Sequence, residues 1–235
     1  MAKRKPYYIE VDGKKTKVPS VTTICGMLDK PALLSWFGKI VAQLCLDKGD
    51  ALHHMDVAAI LKASYSESSK ARDKGTEMHN LIEQVMMGKE VEVDEGELLY
   101  LNISDFFADH EVEPMMLGKE PALEVELLSP TYMFGGRCDC IGYIDGVLCL
   151  IDWKSGRLAN LWPESMMQTA AYRIAAVEQH PAIPTSIRRA VVVFAKEERA
   201  YKMRIMDEHD NDFRAFLTLR GLYEWKKRTE KELKK

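Results

Sequence analysis

The chain has 235 residues, 46% of them apolar and 29% charged, with a formal net charge of −3. That length can bury a sizeable core, that composition belongs to a globular protein rather than a disordered tail, and no apolar run approaches the roughly 20 residues of a membrane span. Taken in order, Tyr7 to Val11 and Lys15 to Val18 predict a short hairpin about Asp12-Gly13. Ser20 is placed to cap a helix carrying Val21, Ile24 and Leu28. Leu33, Leu34, Phe37, Ile40, Val41, Leu44 and Leu52 recur at helical spacing and predict a helical opening segment from Pro31 to about Lys62. A further helix is expected from about Ser68 to Met87, ending before Gly88, with Met78, Leu81, Ile82 and Val85 as its apolar face and His79 at the margin. The acid-rich stretch from Glu90 to Glu126 holds a helix from Glu95 to Asp109.

Strands are expected from about Pro121 onward. Ala122 to Leu128, Phe134 to Ile144 and Val147 to Lys154 form a three-stranded meander, the last strand apolar on both faces apart from Asp152 and Lys154, as a central strand is. Pro163 opens a helix reaching Gln179, with Met167, Ala170, Ala171 and Ile174 inward. Arg189 to Ala195 and Tyr201 to Ile205 follow as strands, and an amphipathic helix from about Asp210 carries Phe213, Phe216, Leu217, Leu222 and Trp225. No repeat, low-complexity tract or linker interrupts the chain. The expectation is one α/β domain, mainly helical over residues 1–118, with a central mixed sheet and flanking helices over 119–235.

Basic residues gather at both ends: Lys3, Arg4, Lys5, Lys14, Lys15 and Lys17 at the start, and Lys226, Lys227, Arg228, Lys231, Lys234 and Lys235 at the finish. Such runs are solvated faces as often as binding surfaces. The basic opening leads into Ile9-Glu10-Val11-Asp12 rather than an apolar signal core, so a cytoplasmic protein is expected. The five cysteines are odd in number, and Cys138, Cys140 and Cys149 fall in strands predicted to be buried, which fits reduced core thiols.

The chemistry concentrates between Phe134 and Gly156. Asp145-Gly146 between two apolar runs signals a two-residue type I′ turn, and such a turn sets the register. Ile144 then faces Val147, Asp139 stands opposite Asp152, Arg137 stands opposite Lys154, and all four charged side chains share one face. Like charges so opposed are destabilising unless something offsets them. Counting back through the preceding turn puts Glu124 opposite Asp139 and Glu126 opposite Arg137, unless a bulge at Gly135-Gly136 shifts the pairing. Three carboxylates in line beside a lysine suit a hard cation such as Mg²⁺ or Mn²⁺. A metal-free ion network in which Arg137 neutralises the aspartates is the structural alternative.

These residues resemble the PD-(D/E)XK nuclease superfamily, specifically its RecB-type exonuclease branch. The resemblance is carried by Gly-Arg-Cys-Asp139, a hairpin, Ile-Asp152-Trp-Lys154-Ser-Gly and Gln168-x-x-x-Tyr172. It extends upstream through Gly75-Thr-Glu-Met-His79 and Val18-Pro-Ser-Val-Thr22, the latter as in phage and mitochondrial genome-maintenance exonucleases. It implies a restriction-endonuclease-like core and a metal-dependent DNA exonuclease acting in replication, recombination or repair. Asp139, Asp152 and the Trp153 backbone carbonyl would bind Mg²⁺ or Mn²⁺, with His79 completing or flanking the site. Lys154 would orient or activate the attacking water, and Glu124 would be a second ligand or base. Gln168, Tyr172, Ser155 and Arg137 would contact the nucleic acid. Trp36, Trp153 and Trp162 are available for base stacking or for the core. The cysteine spacing of the branch's iron–sulfur members is absent, so no cluster is expected. No Walker-type loop is present, so any helicase would be a separate partner. An inactive DNA-binding or assembly module on the same fold is the alternative from another class.

Overall fold

The chain opens with a two-stranded antiparallel ribbon, β1 (Tyr7–Val11) and β2 (Lys14–Val18), with Tyr7 opposite Val18 and Val11 opposite Lys14. This is a computed structural model, and it describes residues 5–28, 31–49, 56–89, 97–158 and 163–234, without the side chains of 31–33 and 67–74. The short helix α1 (Val21–Cys25) follows, begun by the Ser20 hydroxyl, which accepts from the Thr23 N–H at 3.0 Å.

The chain divides into two compact units, residues 29–81 and residues 1–28 with 82–235. The first holds α2 (Pro31–Lys48) and most of α3 (Val57–Met86). Sequence periodicity predicted one helical segment running to about Lys62 and a second from about Ser68. Instead α2 ends at Lys48 and α3 begins at Val57, where Asp56 Oδ1 accepts the Ala59 N–H at 2.7 Å as a cap. The expected helical residue Leu52 lies outside the described residues. Within this unit Phe37 packs on Tyr65 with ring centroids 5.3 Å apart.

The second unit is built on a mixed sheet. After α4 (Leu98–Asp109) come β3 (Val112–Pro114), the two-residue strands β4 (Met116–Leu117) and β5 (Glu120–Pro121), β6 (Leu123–Ser129), β7 (Phe134–Ile144) and β8 (Val147–Gly156). Helix α5 (Pro163–Gln179) crosses over to β9 (Arg188–Ala195), followed by β10 (Tyr201–Met206) and α6 (Asp210–Glu232). The spatial order is β10-β9-β8-β7-β3, with β6 also on β7. Among the strands of the described residues only β8 and β9 pair in parallel, as a helical crossover requires. Strands begin earlier than expected: β3 pairs with residues 142–144 of β7, and β6 with residues 134–140. The β1–β2 ribbon and α1, grouped by sequence with the helical part, belong to the sheet's unit.

Helices lie on both faces. Leu150 joins a buried cluster with Ala170, Ala171, Ala175 and Ala176 of α5, Ile24 of α1 and Phe216 of α6. The alanines bring α5 close to the strands. Three residues further along β8, Trp153 points the other way, edge-on to Phe106 of α4 with centroids 5.8 Å apart. Each large apolar side chain so buried contributes about 1.5–3 kcal/mol. Trp153 is therefore core, Trp36 is exposed, and Trp162 lies outside the described residues.

Arg189 is wholly buried and ties three elements together. It donates to the Met166 carbonyl at 2.7 Å, to the Glu208 carbonyl and to Asp212 at 2.7 Å. On α6, Phe213 and Phe216 are in the core, while Leu222 and Trp225, about 120–180° round the helix from them at 3.6 residues per turn, are exposed. Cys25, Cys138, Cys140 and Cys149 are buried free thiols; burial pushes Cys149 up to about 11 and Cys138 and Cys140 higher than an ordinary thiol. Among the described residues no helix is long and apolar enough to cross a membrane.

Candidate active site at the fork of the sheet

Asp145 and Gly146 both take positive φ, 49° and 75°, the combination a type I′ turn needs. The register follows as expected, with Ile144 opposite Val147 and rungs running out to Cys140 opposite Ile151. There the β7–β8 ladder stops. Beyond it β7 continues beside β6, and β8 continues beside β9. The sheet forks, and Asp139 and Asp152 are the first residues past the last rung. The Trp153 N–H donates to Asp139 Oδ2 at 2.8 Å, a charge-assisted bond across the fork.

Asp152 is 1% exposed, and a carboxylate so buried persists only with partners. Lys154 supplies one: its Nζ donates to Oδ1 at 2.8 Å and stands 2.7 Å from Oδ2. The two residues share a face of β8 by alternation. Gln168 Nε2 donates to the same Oδ1 at 3.3 Å from α5, and lies 3.5 Å from the Tyr172 hydroxyl one turn on. The Lys154 side chain keeps 33% of its surface exposed. Burial pulls its pKa down, but the charges of Asp152 and Asp139 and the Asp152 hydrogen bond outweigh this and hold it above the ordinary lysine value. Tyr172, 2% exposed, is pushed well up by burial first and then by Asp152 and Asp139. Both carboxylates thus bear on the Lys154 ammonium and the Tyr172 hydroxyl.

Glu124 stands across from Asp139, since Leu123 pairs with Cys140 and Val125 with Cys138. Its φ of 49° takes the side chain out of regular strand alternation. One of its carboxylate oxygens lies within 4.8 Å of one of Asp139. Arg137 is exposed and opposite Glu126 in register, but its guanidinium sits 3.7 Å from Glu124 rather than neutralising the aspartates. The closest expected partnership, Asp139 with Asp152, is accordingly not a closed rung: Asp139 lies with Glu124, and Asp152 with Lys154.

Gly135-Gly136 holds no bulge; the β6–β7 register is unbroken across it. The two glycines instead admit close neighbours. A Cβ on Gly136 would come 2.4 Å from Tyr172 Cε1, and one on Gly135 would come 2.8 Å from Tyr7 of β1. This seat for Tyr172 was missed in sequence, although glycine within a strand signals such an approach. Also missed was the close approach of Tyr7 to Gly135. Ser155 lies on β8 beside Phe194, half-buried. His79 is half-buried on α3, in the unit of residues 29–81.

No protein-family model matches this chain, and no curated protein does. A solved structure described as "Crystal structure of SSO0001" is similar at 15% identity and a TM-score of 0.37, over 68% of this chain and 62% of that one. The match thus spans less than two thirds of that protein's length.

Proposed function

We propose that the chain is a metal-dependent DNA exonuclease on a restriction-endonuclease-like core. The observation that carries this is the buried Asp152–Lys154 pair beside Asp139 at the point where the β7–β8 ladder opens. An ion pair there leaves a lysine cation one third exposed, beside the Asp139 carboxylate that accepts the Trp153 N–H.

The donor set fits a hard divalent cation. Two ligands of one Mg²⁺, each about 2.0–2.1 Å from it, lie roughly 3–4 Å apart, and Glu124 and Asp139 oxygens come within 4.8 Å of each other, a side-chain adjustment away. Glu124, Asp139, Asp152 and the Trp153 carbonyl would hold Mg²⁺ or Mn²⁺. When bound, the ion would supply Lewis acidity toward the phosphoryl group. Lys154 would orient the attacking water and donate to a non-bridging phosphoryl oxygen, stabilising the charge that grows there as the water oxygen bonds to phosphorus and gives its proton to solvent, while the bridging P–O bond breaks and its oxygen leaves as a hydroxyl protonated from solvent. Gln168 and Tyr172 act as positioning residues, fixing Asp152 and through it Lys154.

The test is incubation with end-labelled single- and double-stranded DNA and with circular DNA, in Mg²⁺, Mn²⁺ or EDTA. Lys154→Ala and Asp152→Ala should each lower cleavage by at least about 100-fold, the scale of losing one transition-state donor. Linear substrate should be consumed and circles spared. Equal degradation by wild type and variants, or none with either metal, overturns the proposal.

A further inference from the structure

We infer that the outward face of the β1–β2 ribbon holds a single nucleic-acid strand leading to the fork, with Tyr8 as a stacking platform and Lys15 and Lys17 on its phosphates; this rests on the nuclease reading. The ribbon is fixed to the catalytic strand. Ile9 and Val18 are buried, the Gly135 N–H donates to the Pro19 carbonyl at 3.1 Å, and Tyr7 lies over Gly135. Gly135 is four residues before Asp139 on β7, which sets the ribbon's seat about 13 Å from that carboxylate along the strand.

Among the described residues the other face is exposed. Cross-strand pairing puts Tyr8 opposite Lys17 and Glu10 opposite Lys15, so these four side chains share one face by alternation, and all four are exposed. Tyr8 is 46% exposed although aromatic and apolar over most of its surface. Lys15 and Lys17, two residues apart on one strand, have Cα atoms about 7 Å apart. Over residues 5–17 four lysines meet two acids, in a chain whose net charge is −3. A local cation-rich surface with an exposed ring suits a polyanion that also has flat faces to stack. That combination describes a nucleic-acid strand, whose backbone is held by cations and whose bases stack on aromatics without sequence preference. An acidic peptide would satisfy the lysines and leave Tyr8 unused.

The experiment measures binding of the full chain to a fluorescein-labelled oligothymidylate by anisotropy, in EDTA, across a salt series. Lys15→Ala/Lys17→Ala should weaken binding at least ten-fold and flatten the slope of log K against log salt by about 1.4, from roughly 0.7 per phosphate contact in single strands. Lys15→Arg/Lys17→Arg should restore both. Tyr8→Ala should weaken binding at least five-fold with the salt slope unchanged. All four side chains are exposed, so the variants should melt within a few degrees of wild type, and thermal unfolding checks this. Binding within two-fold of wild type for both the lysine and the tyrosine variants overturns the inference, as does absence of oligonucleotide binding by the wild type. Loss with the lysine variant alone, Tyr8→Ala being silent, overturns the strand as occupant. Metal-dependent cleavage is read separately: its absence counts against the nuclease reading, while ribbon-dependent binding in EDTA still supports this inference.

Discussion

Glu124 is the residue in the site whose backbone departs from its strand. A φ of 49° in β6 places a glutamate in the left-handed region, which costs a non-glycine residue on the order of 1–3 kcal/mol. The surrounding structure over-determines that conformation: rungs at Leu123 and Val125 hold both flanks, and the turned side chain meets Asp139 and Arg137. Glu124→Asn and Glu124→Val remove the same charge, yet asparagine tolerates the left-handed region and a β-branched residue does not. The valine variant should therefore be about 1–2 kcal/mol less stable than the asparagine variant in denaturant titrations, and on the proposed metal-dependent reading both should bind Mg²⁺ or Mn²⁺ more weakly by calorimetry. Equal stability of the two variants would show that the backbone at this position carries no strain.

At the scale of elements, the fork depends on α5 seating over β7. Four small alanines bring the helix near the sheet, Gly136 lets the Tyr172 ring lie directly on the strand, and the Tyr172 hydroxyl and Gln168 then meet at Asp152. A methyl group at position 136 would collide with the ring at 2.4 Å. Gly136→Ala should cost about 1–3 kcal/mol, the usual range for overpacking, and on the proposed nuclease reading should lower cleavage by displacing Gln168 from Asp152. Tyr172→Ala opens the space, so a double-mutant cycle should return a coupling energy of about 1 kcal/mol or more. Additive losses would mean that the ring and the glycine do not share the space described. Arg189 does comparable work on the far side of α5, where its buried guanidinium bridges α5, β9 and α6.

For the whole molecule, two half-buried histidines set the acid limb of stability. Burial lowers the pKa of His180; burial, with the nearby Arg173 and Arg189 charges, lowers that of His209. Their folded values lie below the unfolded value of about 6.5, so between the two the unfolded chain binds more protons. The stability they contribute is present above pH 6.5 and is lost as pH falls through their folded values. Asp105, held low by its hydrogen bond to Arg199, and Asp145, held low by His110, lose theirs only below about pH 4. Chemical denaturation from pH 7.5 to 3 should show two successive declines. His180→Gln/His209→Asn should flatten the first and leave the second; an unchanged first decline would remove the histidines as its cause.

Much of this architecture was legible because it is governed by local chemistry. The Asp145-Gly146 turn requires φ above zero at both residues, and a two-residue loop leaves one register, so Asp139 and Asp152 could be placed at the same level of adjacent strands. The Ser20 cap and the Pro163 start of α5 follow from the same kind of rule. What the tertiary structure alone decided is less local. Strand β3, three residues long and ending in proline, is a strand only because the edge of β7 is there to pair with. The fork itself cannot be read from a register, since periodicity continues unchanged through Asp139 and Asp152 while the ladder between them ends. Alternation assigns a face to each charge; only the packing of α5 and β9 decides that Asp152 takes Lys154 and Gln168, leaving Asp139 to Glu124.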